Sequence, residues 1–270
     1  MNKDEFEAIL GEEDHLDLLF CIFKKFYTFE KNFLQVENKL IKDHFLTWVN
    51  ISKYEDGVFF NRNNEYLLDT NIDRITEETA NEIGHHYEIK WRTLTFIWFA
   101  KQLIDKNLGD LYEFGTGNGW MIRCLNRKYD LKDINVKLFD RFDNGKIDEI
   151  TGEIIDRSFF NPTYAMDVKA LEDITGLNNK IEVIKGERPY SLDLVKHDRI
   201  GMVHVDLNAA KPSVQSLEKI WKYIQTGGII LLDDYLFNEH KEQKKALDWF
   251  FAEKKCEILP LLSGQGVVIK

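Results

Sequence analysis

Glu113, Gly115, Thr116, Gly117 and Gly119 fall in one heptad, Glu-Phe-Gly-Thr-Gly-Asn-Gly, with an acid at its head. Residues 109–112 before it suit a short strand. Residues 120–125 after it carry apolar side chains at helical spacing, so the heptad reads as a strand-to-helix turn. Three glycines let such a turn bend sharply and admit a ligand against the backbone. The helix that follows offers unpaired N–H groups in its first turn. A pyrophosphate would suit this geometry, but the dinucleotide fingerprint needs its last glycine where this chain has Trp120. An acid at position 113 would repel a pyrophosphate and accept from an ammonium group. The pattern therefore favours S-adenosylmethionine, whose methionyl end carries an amine, over NAD. The next strand-like run, 136–139, ends in Asp140, about twenty residues past the last glycine, where an acid binds ribose hydroxyls in doubly wound folds. Arg141 and Phe142 continue that strand end, and Gly186 and Glu187 after the third strand would border the adenine.

A second group of acids follows later strands. Asp206 closes the run 204–208, and Asp233 and Asp234 close the run 231–235. In a parallel sheet these strand ends lie side by side over the ligand crevice. Three carboxylates repel one another unless a cation neutralises them, and oxygen ligands suit Mg²⁺ or Mn²⁺. Such an ion would ease proton loss from a hydroxyl, which gives Asp206 a catalytic role and places it beside the methyl donor. The alternative is one strand-end acid, one helix cap and no metal. His240 and His204 are the candidate bases, because a histidine titrates near neutrality. His240 follows the fifth strand by a short loop. His204 shares strand parity with Asp206, and its competing role is a hydrogen-bonded histidine beneath the site. Lys211 and the pair His85–His86 are further candidates.

These residues require an alternation of strands and helices, and it is present from about residue 109 onward. The expected strands are 110–115, 134–140, 181–185, 200–206 and 228–233. The expected helices are 118–129, 166–176, 189–196, 212–226 and 239–254, with Gly227–Gly228 ending the fourth. Residues 257–262 and 267–270 read as a terminal hairpin. The fold class is α/β: a doubly wound, seven-stranded, mostly parallel sheet ending in an antiparallel hairpin. Residues 1–86 read as a mainly helical extension or cap, with 16–23 helical and 51–70 ambiguous. Residues 87–270 form the ligand-binding domain, and 143–165 is an insertion long enough to serve a function.

The chain has 270 residues, 44% of them hydrophobic, which suffices for a sizeable core. Its net charge of −10 disfavours nucleic acid, which needs a basic face. No run is apolar enough for a membrane span, and the acidic N-terminus lacks a signal-peptide pattern. Cys21, Cys124 and Cys256 are widely separated and read as reduced thiols. A cytoplasmic protein is expected, acting on a small molecule, with homodimerisation open.

The chain resembles class I S-adenosylmethionine-dependent O-methyltransferases of the macrocin O-methyltransferase-like group. The resemblance covers about residues 88–270. It rests on Trp91-Arg92, Gly109-Asp110, the glycine turn, Phe139-Asp140-Arg141-Phe142, Ile184-Lys185-Gly186, the run 204–208, Gly227-Gly228 through Tyr235, and 263–266. It implies a divalent cation on Asp206, Asp233 and Asp234, and an acceptor hydroxyl on a sugar, sugar nucleotide, glycan precursor or related small molecule. Ala209-Ala210 stand where the group carries Leu-Tyr, which implies a different acceptor. Rival functions are a metal-independent methyltransferase, a nucleotide-dependent oxidoreductase, and a non-catalytic protein that kept the fold.

Overall fold

The computed structural model describes residues 71–270 apart from 88, 144, 159–166, 172 and 175–179, together with strands at 53–55 and 58–60. The chain divides into two compact units, and residues 65–270 belong to the larger. The strands Lys53–Glu55 (β1) and Val58–Phe60 (β2) pair with each other, within the span that the sequence left ambiguous. The helical expectation for 16–23 lies outside the described residues.

The larger unit opens with two helices, Ile72–Ile83 (α1) and Lys90–Lys106 (α2). Alternating strands and helices follow: Asp110–Phe114 (β3), Trp120–Lys128 (α3) and Val136–Asp140 (β4). A small antiparallel hairpin, Lys146–Ile147 (β5) and Ile154–Asp156 (β6), occupies the expected insertion. The remainder is Ile181–Lys185 (β7), Ile200–Val205 (β8), Ala210–Ile220 (α4), Ile224–Leu232 (β9), Lys241–Glu253 (α5), Leu259–Pro260 (β10) and Gly266–Ile269 (β11). Seven strands form one sheet in the order β10-β11-β9-β8-β3-β4-β7. Its five central and outer strands β9, β8, β3, β4 and β7 run parallel, and β11 and β10 add antiparallel.

Strand parity distributes the core over both faces. Leu111, Leu138, Met202 and Leu231 pack with Ile75, Phe96 and Ile122 of α1–α3. Tyr112, Phe139, Val203 and Leu232 pack with Leu217, Leu247 and Phe250 of α4 and α5. The chain leaves β3 toward β4 and β7, then returns to β8 and β9 on the other side. The sheet therefore reverses order between β3 and β8, the switch point at which doubly wound folds bind ligands. Among the described residues, no helix is long and apolar enough to cross a membrane.

Three expected elements differ. The fourth helix ends at Ile220, and Gly227–Gly228 lie inside β9 rather than before it. Gly227 has φ 78, and the β8–β9 register shifts between Ile200 and Met202, so the glycines form an irregularity in the strand. Residues 190–194 form a single 3-10 turn, too short to carry the helical spacing read into 189–196. Within the expected helix 166–176, residues 168–171 form a 3-10 turn and 173–174 are helical, and 166, 172 and 175–176 lie outside the described residues.

Candidate active site

The heptad is a strand-to-helix turn, as its spacing requires. β3 ends at Phe114, and α3 starts at Trp120. The turn presses on its neighbours. A Cβ on Gly115, φ 84, would lie 1.7 Å from the Asp206 carbonyl oxygen. A Cβ on Gly117, φ 52, would meet nothing within 4 Å. The middle of the turn is thus open to a ligand, while its first glycine is closed against β8. Gly119 is closed by Leu171 and Ile174. Arg123 of α3, 5% exposed, fixes the turn by donating to the Asn118 carbonyl at 3.1 Å and by binding Glu82 and Asp173. Gly115→Ala should therefore destabilise the protein by about 1–3 kcal/mol through overpacking, beyond the strain of a positive φ. Gly117→Ala should carry only the backbone strain, roughly 1–2 kcal/mol. Denaturant melts of the two variants check the difference.

Asp140 closes β4 beside the turn. Its Oδ2 accepts from the Gly117 N–H at 2.9 Å, and its Oδ1 accepts from Phe142 N–H at 2.8 Å. Arg141 donates to the Gly152 carbonyl at 2.8 Å and so anchors the insertion hairpin. Phe142 is 3% exposed and packs in the core with α1–α3. Of these two residues expected at the cofactor, Arg141 thus engages a carbonyl through one nitrogen and Phe142 packs in the core. Gly186 adopts φ 146 against Ser191, and Glu187 is exposed at the end of β7.

Glu113 lies beneath the turn, 2% exposed. Thr116 Oγ1 donates to its Oε2 at 2.8 Å, and its Oε1 meets His204 Nδ1 at 3.1 Å. Both carboxylate oxygens hold protein groups, so Glu113 braces the turn from below. The register explains this contact, because Glu113 and His204 are direct partners across β3 and β8.

His204 is 1% exposed and spans two acids, with Nε2 3.3 Å from Asp233 Oδ1. Burial opposes its charge, but the hydrogen bonds and charges of Asp233 and Glu113 outweigh burial and push it up to about 10. An imidazole that donates from both nitrogens has no lone pair for a substrate proton. His204 is therefore not the base; it takes the competing role of a hydrogen-bonded histidine under the site.

The three acids converge: ligand oxygens of Asp206, Asp233 and Asp234 lie within 4.8 Å of one another. Helix α2 meets them from the side. Arg92 Nη1 donates to Asp233 Oδ2 at 2.7 Å and to Asp234 Oδ1 at 2.9 Å. One turn later Phe96 sets its ring edge-on to His204, centroids 5.1 Å apart, as i,i+4 side chains share a helix face. Gln265, from the terminal hairpin, donates to Asp233 Oδ1 at 2.9 Å. Burial works against the Asp233 charge, yet Arg92, His204 and Gln265 hold it well below the usual carboxylate range. Asp206 has the opposite balance. Burial and the charges of Asp233 and Asp234 raise it well above that range. Among the described residues no side chain hydrogen-bonds its carboxylate.

His240 lies at the start of α5, with Nε2 3.7 Å from Asp234 Oδ2 and Nδ1 buried without a hydrogen-bond partner. Burial lowers its pKa below the ordinary 6.5, so the ring is neutral near pH 7. The insertion reaches the same edge: the carbonyls of Glu149 and Ile150 accept from Ala210 and Lys211 N–H, at 2.7 and 2.8 Å. Main-chain groups thereby cap the free N-terminus of α4, four residues past Asp206. In the sequence, only the family segments Trp91-Arg92 and 263–266 mark Arg92 and Gln265. Nothing in their spacing marks the acids they would meet, because both contacts are set by tertiary packing.

Sheet order, terminal hairpin and a glycine turn at the switch point define a class I methyltransferase fold. Residues 94–235 match the sequence family described as "Methyltransferase domain". The chain belongs to that family and is an S-adenosylmethionine-dependent methyltransferase. The solved structure of the O-methyltransferase NovP is similar, with a TM-score of 0.59 and 20% identity over 76% of this chain and 98% of that one. CalS11, a calicheamicin methyltransferase, has a TM-score of 0.51 and 16% identity over 81% of this chain and 99% of that one. At these identities the likeness is one of fold. No curated protein sequence matches the chain.

Proposed function

We propose that this methyltransferase acts on a hydroxyl group of a sugar, glycan precursor or related small molecule, and that it uses a divalent cation. The observation that carries the reading is the convergence of Asp206, Asp233 and Asp234 next to the glycine turn, with the Asp206 carboxylate hydrogen-bonded by no side chain among the described residues. Hard oxygen donors at this spacing fit Mg²⁺ or Mn²⁺, and the mutual repulsion of Asp206 with Asp233 and Asp234 is what a cation would neutralise. Oxygen as the acceptor atom accords with NovP, an O-methyltransferase of the same fold. The sugar class rests on the family resemblance.

The chain's own groups have separable tasks. Asp140 and the open backbone at Gly117 receive the methyl donor, with Gly186 and Glu187 at its adenosine end. The glycine turn and the acids hold donor and acceptor together, which lowers the entropic barrier of a two-substrate displacement. A cation on the three acids would make the acceptor hydroxyl more acidic. His240 takes the proton released as the oxygen–carbon bond forms and the carbon–sulfur bond breaks. The hairpin at 145–158 and the segment 234–240 flank the acceptor.

A second reading is favoured by Arg92, which already neutralises Asp233 and Asp234. Here the guanidinium replaces the metal, and turnover is indifferent to chelator. Donor recognition is tested separately, by calorimetry with S-adenosylhomocysteine. Asp140→Ala should weaken its binding by about 1–3 kcal/mol, the range for a polar group left unpaired. NAD bound tightly in place of the sulfur ligand would refute the donor assignment.

A further inference from the structure

One unbroken series of buried contacts joins the donor turn to the acids. Thr116 donates to Glu113 at 2.8 Å, Glu113 meets His204 at 3.1 Å, His204 meets Asp233 at 3.3 Å, and Asp233 receives Arg92 at 2.7 Å. Glu113, His204 and Asp233 are 2%, 1% and 3% exposed. At that depth water does not replace a contact that opens, so each link constrains the next. The imidazole is rigid, and Phe96 against its face limits rotation. Its two nitrogens lie on opposite sides of the ring, one toward the strand that carries the glycine turn and one toward the strand that carries the acids.

From this geometry we infer that His204 is a positioning residue that couples the two half-sites. Occupation of the donor turn sets Asp233, and a change at the acids is felt by the donor. The inference rests on the reading of Asp206, Asp233 and Asp234 as the acceptor side. A ligand that seats on the turn fixes Thr116 and Glu113. Glu113 then fixes the ring, and the ring fixes Asp233 Oδ1, which also receives Gln265. Coupling of this kind is reciprocal in binding free energy, so it is readable from the donor side alone, without an acceptor.

Calorimetry with S-adenosylhomocysteine on the full chain tests it, using wild type, Asp233→Asn, His204→Asn and the double variant. Asp233→Asn should weaken binding about five-fold in the wild-type background, within the range for residues sharing a network, and should have no further effect in the His204→Asn background. An Asp233→Asn protein that binds as wild type, or one whose loss is the same in both backgrounds, overturns the coupling while leaving the donor assignment intact. A wild-type protein that does not bind S-adenosylhomocysteine overturns the donor assignment itself. Should His204→Asn fail to fold, the side-chain amide of Gln265 serves as a reporter in the unaltered protein. Its NMR signals should move as S-adenosylhomocysteine is added, and unmoved signals at saturation overturn the coupling. A purely structural His204 would lower stability in the variants without producing this non-additivity or this shift.

Discussion

Excess chelator should reduce methyl transfer to background, and added Mg²⁺ or Mn²⁺ should restore it. The reason lies in the unequal treatment of the three acids. Arg92, His204 and Gln265 satisfy Asp233, and Arg92 also reaches Asp234. Asp206 faces both, and burial and those two charges raise its pKa more than the charges of His204 and Arg92 lower it. A group whose folded pKa lies above its unfolded value opposes folding in full above the folded value, and the opposition declines as pH falls from there and is gone below the unfolded value. Asp206→Asn removes the ionisable group, so at neutral pH the variant should melt higher than metal-free wild type, by about 2–4 °C for each kcal/mol relieved in a chain of this size. The same variant should lose turnover and should no longer be stabilised by Mg²⁺. Strain of this sort, relieved at the expense of activity, is the usual mark of a functional acid. Full turnover in chelator, with Asp206→Asn still active, would instead support Arg92 in the place of a metal.

The sequence discloses the acids more readily than their relationships. Strand parity and strand-end position suffice to bring Asp206, Asp233 and Asp234 together, because a parallel sheet aligns the ends of β8 and β9 without reference to any side chain. The three-glycine turn is equally local. Its shape follows from backbone freedom at Gly115 and Gly119, and the fold supplies only the neighbours that enforce it. What periodicity cannot reveal is which group answers a charge. Arg92 is one residue of a helix whose spacing indicates only a buried face, and its meeting with Asp233 depends on how α2 crosses the sheet. Glu113 illustrates the same limit from the other direction. As a lone acid ahead of glycines it suggests a ligand contact. Its β8 partner is a histidine, and the pair closes on itself. The shortened turn at 190–194 reflects a weak local signal, since a few apolar residues between polar ones fit a 3-10 turn as well as a helix.

His240→Ala should lower kcat by about 10²- to 10⁴-fold, the span of a positioned general base, with little change in S-adenosylhomocysteine affinity. Of the two histidines at this edge only His240 can take a proton, since His204 is doubly bonded and carries its charge to about pH 10. Burial lowers the His240 pKa, Arg92 lowers it further, and Glu149 and Glu239 oppose both; Asp234 is the nearest acid, at 3.7 Å. The neutral ring is the active form. Activity should therefore fall as pH drops below the ordinary histidine range, and it should be level from there through neutrality. Glu149→Gln removes a charge that raises the His240 pKa, so the acid limb should move to still lower pH while the plateau rate stays close to wild type. Glu149 belongs to the insertion whose main chain caps α4, so this shift would also place the hairpin electrostatically within the site. An acid limb unchanged in His240→Ala would assign the proton to another group and leave His240 as a wall of the acceptor pocket.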